Sequence, residues 1–168
     1  MSGAGAGSDE ARGRDAGESL KDALQQTLDE ARMVLPGVQA LFGFQLIVVF
    51  SERFERVLSA GEQSLHLGAI VLVTIAIALV MTPAAYHRQV EPRRATAGFL
   101  ALASRLVSAA MLPLAAGLAI DAGLIARVIT GAPRLSALLG AAVFAMFVAL
   151  WFAFPQWRAR RARRGGAR

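Results

Sequence analysis

The sequence predicts an all-α integral membrane protein: a four-helix transmembrane bundle preceded by an N-terminal amphipathic interfacial helix. Three observations carry this. Across 168 residues, hydrophobic residues make up 55 % and charged residues only 18 %, with a mean hydropathy of +0.49; a soluble domain carries about 25 % charge. The charges fall in short bands that leave four long uncharged or nearly uncharged runs. Within residues 67–85 the only polar side chains are Thr74 and Thr82, too few for the polar face that a water-exposed helix needs at every turn.

Residues 1–18 are Gly, Ala, Ser and charge. That composition lacks the apolar content to offset ordering, and disorder is expected. No apolar stretch follows the early charges as a signal peptide requires. Residues 19–156 form the membrane domain. It opens with an interfacial helix over 19–35, in which Leu20, Leu24, Leu28 and Ala31 recur three or four apart and Lys21, Asp22, Gln25, Asp29 and Glu30 lie elsewhere on the wheel. Pro36-Gly37 marks a bend or a fresh start.

Spans are expected at about 33–51, 63–86, 98–120 and 135–156, which are 19, 24, 23 and 22 residues long. About 20 helical residues cross a hydrocarbon core of about 30 Å, so each suffices, the first only just. A backbone in lipid must satisfy its own hydrogen bonds, so these runs are helices. Residues 157–168 form a basic tail, "WRARRARRGGAR", in which Trp157, like Trp151 before it, suits the aromatic belt. Lys and Arg divide 13 to 4 between the two sides of this topology. The excess marks the cytoplasmic side, with both termini there and the chain in the cell membrane.

Reactive chemistry lacks its parts. There is no cysteine, no Gly-x-Ser-x-Gly elbow and no His-Glu-x-x-His, so enzymatic activity is not expected, nor is a cofactor. His66 and His87 bracket the second span, roughly 31 Å apart on one helix, and read as polar end-markers rather than partners in a metal site. Arg105 is the formal charge inside a span and is placed to snorkel to the headgroups. Asp121 falls at the outer boundary of the third span, and mid-span carboxylates suited to cation exchange are absent. Gln39 and Gln45 sit on different faces of the first span, each able to bond a neighbouring helix. Were the protein a transporter, Asp121, Gln39 and Gln45 are the candidate ion-handling groups. Small residues at four-spacing, Ser104/Ser108 and Ser136/Gly140, are possible packing positions.

The segment "LDEARMVLPGVQALFGFQLIVVFSERF", then "TPAAYHR", then Arg105 in "ALASRLVSAAMLPLA" resembles the DUF6328 family over roughly residues 20–155. The family pattern falls on Glu30, Arg32, Leu35, Pro36, Gly37, Gln39, Phe42, Phe44, Phe50, Phe54, Pro83, His87, Arg88 and Arg105. The resemblance implies a small four-span membrane protein, of a kind found mostly in actinobacteria, and some relatives carry a sodium:proton antiporter label. It also implies a cytoplasmic-side polar cluster of Glu30, Arg32, His87, Arg88 and Arg105, with Glu30 pairing to Arg88 or Arg105. The expected role is that of a non-enzymatic membrane protein acting by association. Its expected partners are the bilayer, anionic lipid at the basic tail, and a second copy or another membrane protein, with ion transport as the alternative. Nucleic acid is not an expected partner.

Overall fold

The computed structural model describes residues 4–90 and 96–165. Residues 91–95, with Arg93 and Arg94, and Arg168 fall outside it, as do the side chains of Leu20, Leu24, Leu28 and Ala31 on which the amphipathic reading rests. The described chain is all helical: α1 Ala4–Val48, α2 Glu52–Val57, α3 Ala60–Val90, α4 Ala97–Thr130, α5 Pro133–Val148, a π-helical turn Ala149–Ala153, and α6 Phe154–Gly165. Three helical stretches are long and apolar enough to cross a membrane, Ala60–Gln89, Ala97–Thr130 and Pro133–Arg164, and a shorter apolar helix covers Arg32–Val48. The fold class is therefore the expected one.

The helix ends differ from the run boundaries. α1 is one helix from Ala4 to Val48, with Pro36 inside it. Pro36 is exposed, so the carbonyl that loses its donor there does not lie in a dry core. α4 continues past Ile120 to Thr130, where Gly131 takes the left-handed conformation (φ 68°) that closes the helix with an N–H to the Arg127 carbonyl.

α3 and α4 form the central antiparallel pair: Tyr86 and His87 face Phe99, and Val73 faces Gly117 further along. Their seam is built of small residues, with Ala69, Val73, Ala76, Ala103, Ala110 and Ala115 at 2 % exposure or less. A Cβ on Gly117 would stand 2.9 Å from Val73 Cγ2. α5 returns antiparallel along α4, where Gly140 approaches so closely that a Cβ would stand 2.9 Å from the Ala119 carbonyl oxygen. Ser136 and Gly140 are both buried, so that small pair does pack a helix. α1 meets α3 and α4 through its C-terminal turns, and α2 with its C-cap residue folds Phe54 and Leu58 over Leu124.

The π turn has a local cause. Pro155 has no N–H for the Trp151 carbonyl and its ring crowds that carbonyl. The helix widens by one residue before it, and Phe154 N–H reaches back five residues to Ala149.

Candidate functional site

Three helices bring Gln45, His66 and Asp121 together. Gln45 lies in the last turns of α1, His66 in the second turn of α3, and Asp121 nine residues before the end of α4, roughly 14 Å in from that end along the axis. Their exposures are 4 %, 4 % and 9 %. Gln45 Nε2 donates to Asp121 Oδ2. His66 Nδ1 lies 3.1 Å from Asp121 Oδ1, and His66 Nε2 lies 3.0 Å from the main-chain carbonyl of Gln45. Phe54 sets its ring edge-on to the imidazole at a centroid distance of 5.2 Å.

These contacts count the protons. A carbonyl only accepts, so His66 Nε2 carries a hydrogen. The contact between Nδ1 and Oδ1 then needs one proton between two acceptors. Whether that proton rests on nitrogen or oxygen, the pair sums to zero net charge. A neutral, hydrogen-bonded pair is the form in which such groups tolerate an apolar site. One acceptor is left over: Gln45 Oε1 is buried with no hydrogen-bond partner, a cost of about 1–3 kcal/mol.

A cavity of about 330 Å³ lies against this network, with Gln45, His66 and Asp121 among its lining and Ser51 and Arg53 at α2's side. Its other walls are apolar, including Leu41, Phe44, Leu124 and Ile125. One helix face away, Glu62 performs two tasks. Its Oε2 accepts from the Ser59 N–H and hydroxyl at 2.8 and 2.9 Å, capping α3. Its Oε1 accepts from Arg127 Nε at 2.8 Å, tying α3 to α4 at the same end.

The candidates from the sequence divide. Asp121 and Gln45 meet; Gln39 is exposed on another face of α1. His66, read as an end-marker, is instead the centre of the network. Among the described residues no ion pair joins Glu30 to Arg88 or Arg105, and all three are exposed; Arg32 pairs with Asp29 at 3.7 Å within α1. His87 stacks on buried Phe99 at 5.4 Å, beside Tyr86 at 5.7 Å, and its Nδ1 is buried without a partner. It packs the helix pair. Arg105 lies inside the apolar length of α4 but on its exposed face, the position from which an arginine snorkels.

A family model described as a family of unknown function, DUF6328, matches residues 15–155. The chain belongs to the DUF6328 family. Comparison with curated proteins and with solved structures finds no match. The DUF6328 match spans all three helices of the network, so Gln45, His66 and Asp121 lie within the family domain.

Proposed function

We propose that this DUF6328 member is a small non-enzymatic membrane protein of the cell membrane, with both termini cytoplasmic, that acts by association with lipid, with itself or with a membrane partner. The supporting observation is a dry interior beside unburied apolar helix. Between the buried network and the far end, the α3–α4 seam is Ala69, Val73, Ala76, Ala110 and Ala103, all at 2 % exposure or less, with no polar side chain to carry an ion. By contrast, none of the most apolar stretch of Pro133–Arg164 is buried, against 22 % and 28 % for the other two spans. Ala137, Ala141, Ala145 and Ala149 are exposed at four-residue spacing along it, a pattern that lets helices approach closely. The exposed arginines of α6, with Arg161 seated 4.1 Å over the Trp157 ring, suit anionic headgroups at about 1 kcal/mol per charge.

Ion transport is the second reading, favoured by the proton held between His66 and Asp121 inside an apolar helix pair. Two measurements separate the readings. Purified in mild detergent, the protein is expected to carry a mass above the 17.7 kDa chain after correction for detergent, and reconstituted vesicles are expected to show no sodium-driven proton flux. A flux lost in Asp121→Asn would replace association with transport.

A further inference from the structure

We infer that the cavity between α1, α2 and α4 binds a single-chain acid from the bilayer, a long-chain carboxylate whose head pairs with Arg53. Charge, shape and access each restrict the occupant.

One side chain brings unmet charge to the cavity. Arg53 is among its lining, stands in the first turn of α2 after the Ser51 cap, and is exposed. Among the described residues it has no ion-pair partner, because its acidic neighbours are engaged or turned elsewhere. Glu52 is held by Arg56 at 2.9 Å, Glu62 by Arg127 at 2.8 Å, and Glu55 does not line the cavity. The polar floor adds no charge, since His66 and Asp121 hold one proton between them. It offers no free acceptor either at Gln45 Oε1, which is sealed from the cavity. An acid that enters therefore meets one opposite charge, on a guanidinium whose fork fits a carboxylate.

The charge lies at one end of an apolar slot. Arg53 belongs to the charged band Glu52–Arg56, just past the apolar helix Arg32–Val48, at the level of lipid headgroups. On α4 the lining runs from Ile129 in to Asp121, roughly 12 Å along the axis. Head outward and chain inward, an amphipath matches both parts. The volume of about 330 Å³ is at the low end for ligand pockets, about 300–1,000 Å³, and suits one chain rather than two. Phe44, Ile125 and Ile129 line the cavity and are 70 %, 58 % and 76 % exposed. They belong at once to the pocket and to the outer apolar surface, so the mouth opens sideways, where lipid chains lie. The hollow between α4 and α5 is larger, about 440 Å³, but the arginine in its lining, Arg127, is already held by Glu62. It offers an acid no free charge and serves as an internal control.

This deepens the lipid association proposed above and rests on that reading. Labelling reports on the cavity alone, whereas detergent mass and proton flux report on association and transport, so each can fail without the other. The test uses the full chain in phosphatidylcholine vesicles at alkaline pH, where a carboxylic head is ionised. The probes are a diazirine-bearing long-chain fatty acid and its methyl ester, and labelling is mapped by mass spectrometry. The acid is expected to label Leu41–Val48 and Leu124–Ile129 about fivefold more than the ester, the worth of one basic group facing an anionic head. At Ala137–Phe144, beside the other hollow, the two probes are expected to label equally. Arg53→Gln, at an exposed and unpaired position that does not endanger folding, is expected to erase the preference while ester labelling persists, and Arg53→Lys is expected to keep part of it. Ile125→Trp, on the mouth, is expected to lower labelling by both probes. Unlabelled oleate is expected to displace the acid, and phosphatidylglycerol at the same concentration is not. Equal labelling by both probes in the wild-type chain, a preference unchanged in Arg53→Gln, labelling unchanged in Ile125→Trp, or displacement by phosphatidylglycerol as effective as by oleate overturns the proposal.

Discussion

Asp121 accepts from Gln45 and shares a proton with His66, so its replacements separate charge from hydrogen bonding. Asp121→Ala leaves the Gln45 amide and His66 Nδ1 facing no partner in a buried site. The expected loss is about 3–5 kcal/mol of stability, as when one member of a buried pair is removed. Asp121→Asn supplies a carbonyl for the Gln45 amide and an N–H for neutral His66 Nδ1. Its expected loss is smaller, about 1–3 kcal/mol. Denaturation in detergent micelles, followed by circular dichroism, measures the order; a larger loss for Asn than for Ala contradicts the proton count. Asp121 and Gln45 were legible as candidates because polar residues beside a span are costly and few. The role of His66 was not, because its reading stopped at its own helix. Residues opposite each other in an antiparallel pair have numbers adding to a nearly constant total. Tyr86 with Phe99 and Val73 with Gly117 obey that rule, and so does His66 with Asp121. Applied to the predicted hairpin, it places the two within a turn of each other. The polar cluster at the other end rested on a shared membrane face, which sets depth but not direction around the helix, and Glu30, Arg88 and Arg105 point outward.

Helices were legible wherever apolar runs exceeded the membrane thickness, but their ends were not. A run is cut at a formal charge, whereas a helix ends only where its backbone stops. Asp121 closed the third run on paper, yet in the fold its carboxyl is bonded to His66 and α4 carries on to Thr130. Contact between helices depends instead on the absence of side chain. On Gly140 a Cβ would lie 2.9 Å from the Ala119 carbonyl oxygen and 3.4 Å from Gly123 Cα. Both are backbone atoms, so neither yields without moving α4 from α5. Gly140→Ala is therefore expected to cost about 1–3 kcal/mol. Gly43, in the interior of α1, has nothing within 4 Å of its Cβ position, so Gly43→Ala is expected to stabilise by about 0.4–1 kcal/mol through reduced freedom of the unfolded chain. Both are measured by thermal unfolding in one detergent. The opposite signs matter, because a general preference for alanine in helices predicts a gain at both positions.

At the scale of the whole molecule, length against bilayer thickness decides what projects into water. The continuous helix from Pro133 to Gly165 is roughly 50 Å long, well beyond the hydrocarbon core of about 30 Å. Its last turns carry Arg158, Arg160, Arg161, Arg163 and Arg164, all exposed, and belong outside the core. α2 joins α1 to α3 at the opposite end of the helix pair, with Glu55 exposed. In the proposed orientation, read from the arginine distribution, the α6 end is cytoplasmic and α2 lies on the other side. The chain contains no cysteine, so single cysteines report without background. Ala162→Cys in α6 is expected to react with a membrane-impermeant maleimide only after cells are permeabilised, and Glu55→Cys in α2 is expected to react in intact cells. Reaction of both in intact cells would place the two ends on one side and break the four-span topology. The reverse pattern would keep the topology and invert the orientation, moving the buried Gln45–His66–Asp121 site to the cytoplasmic half.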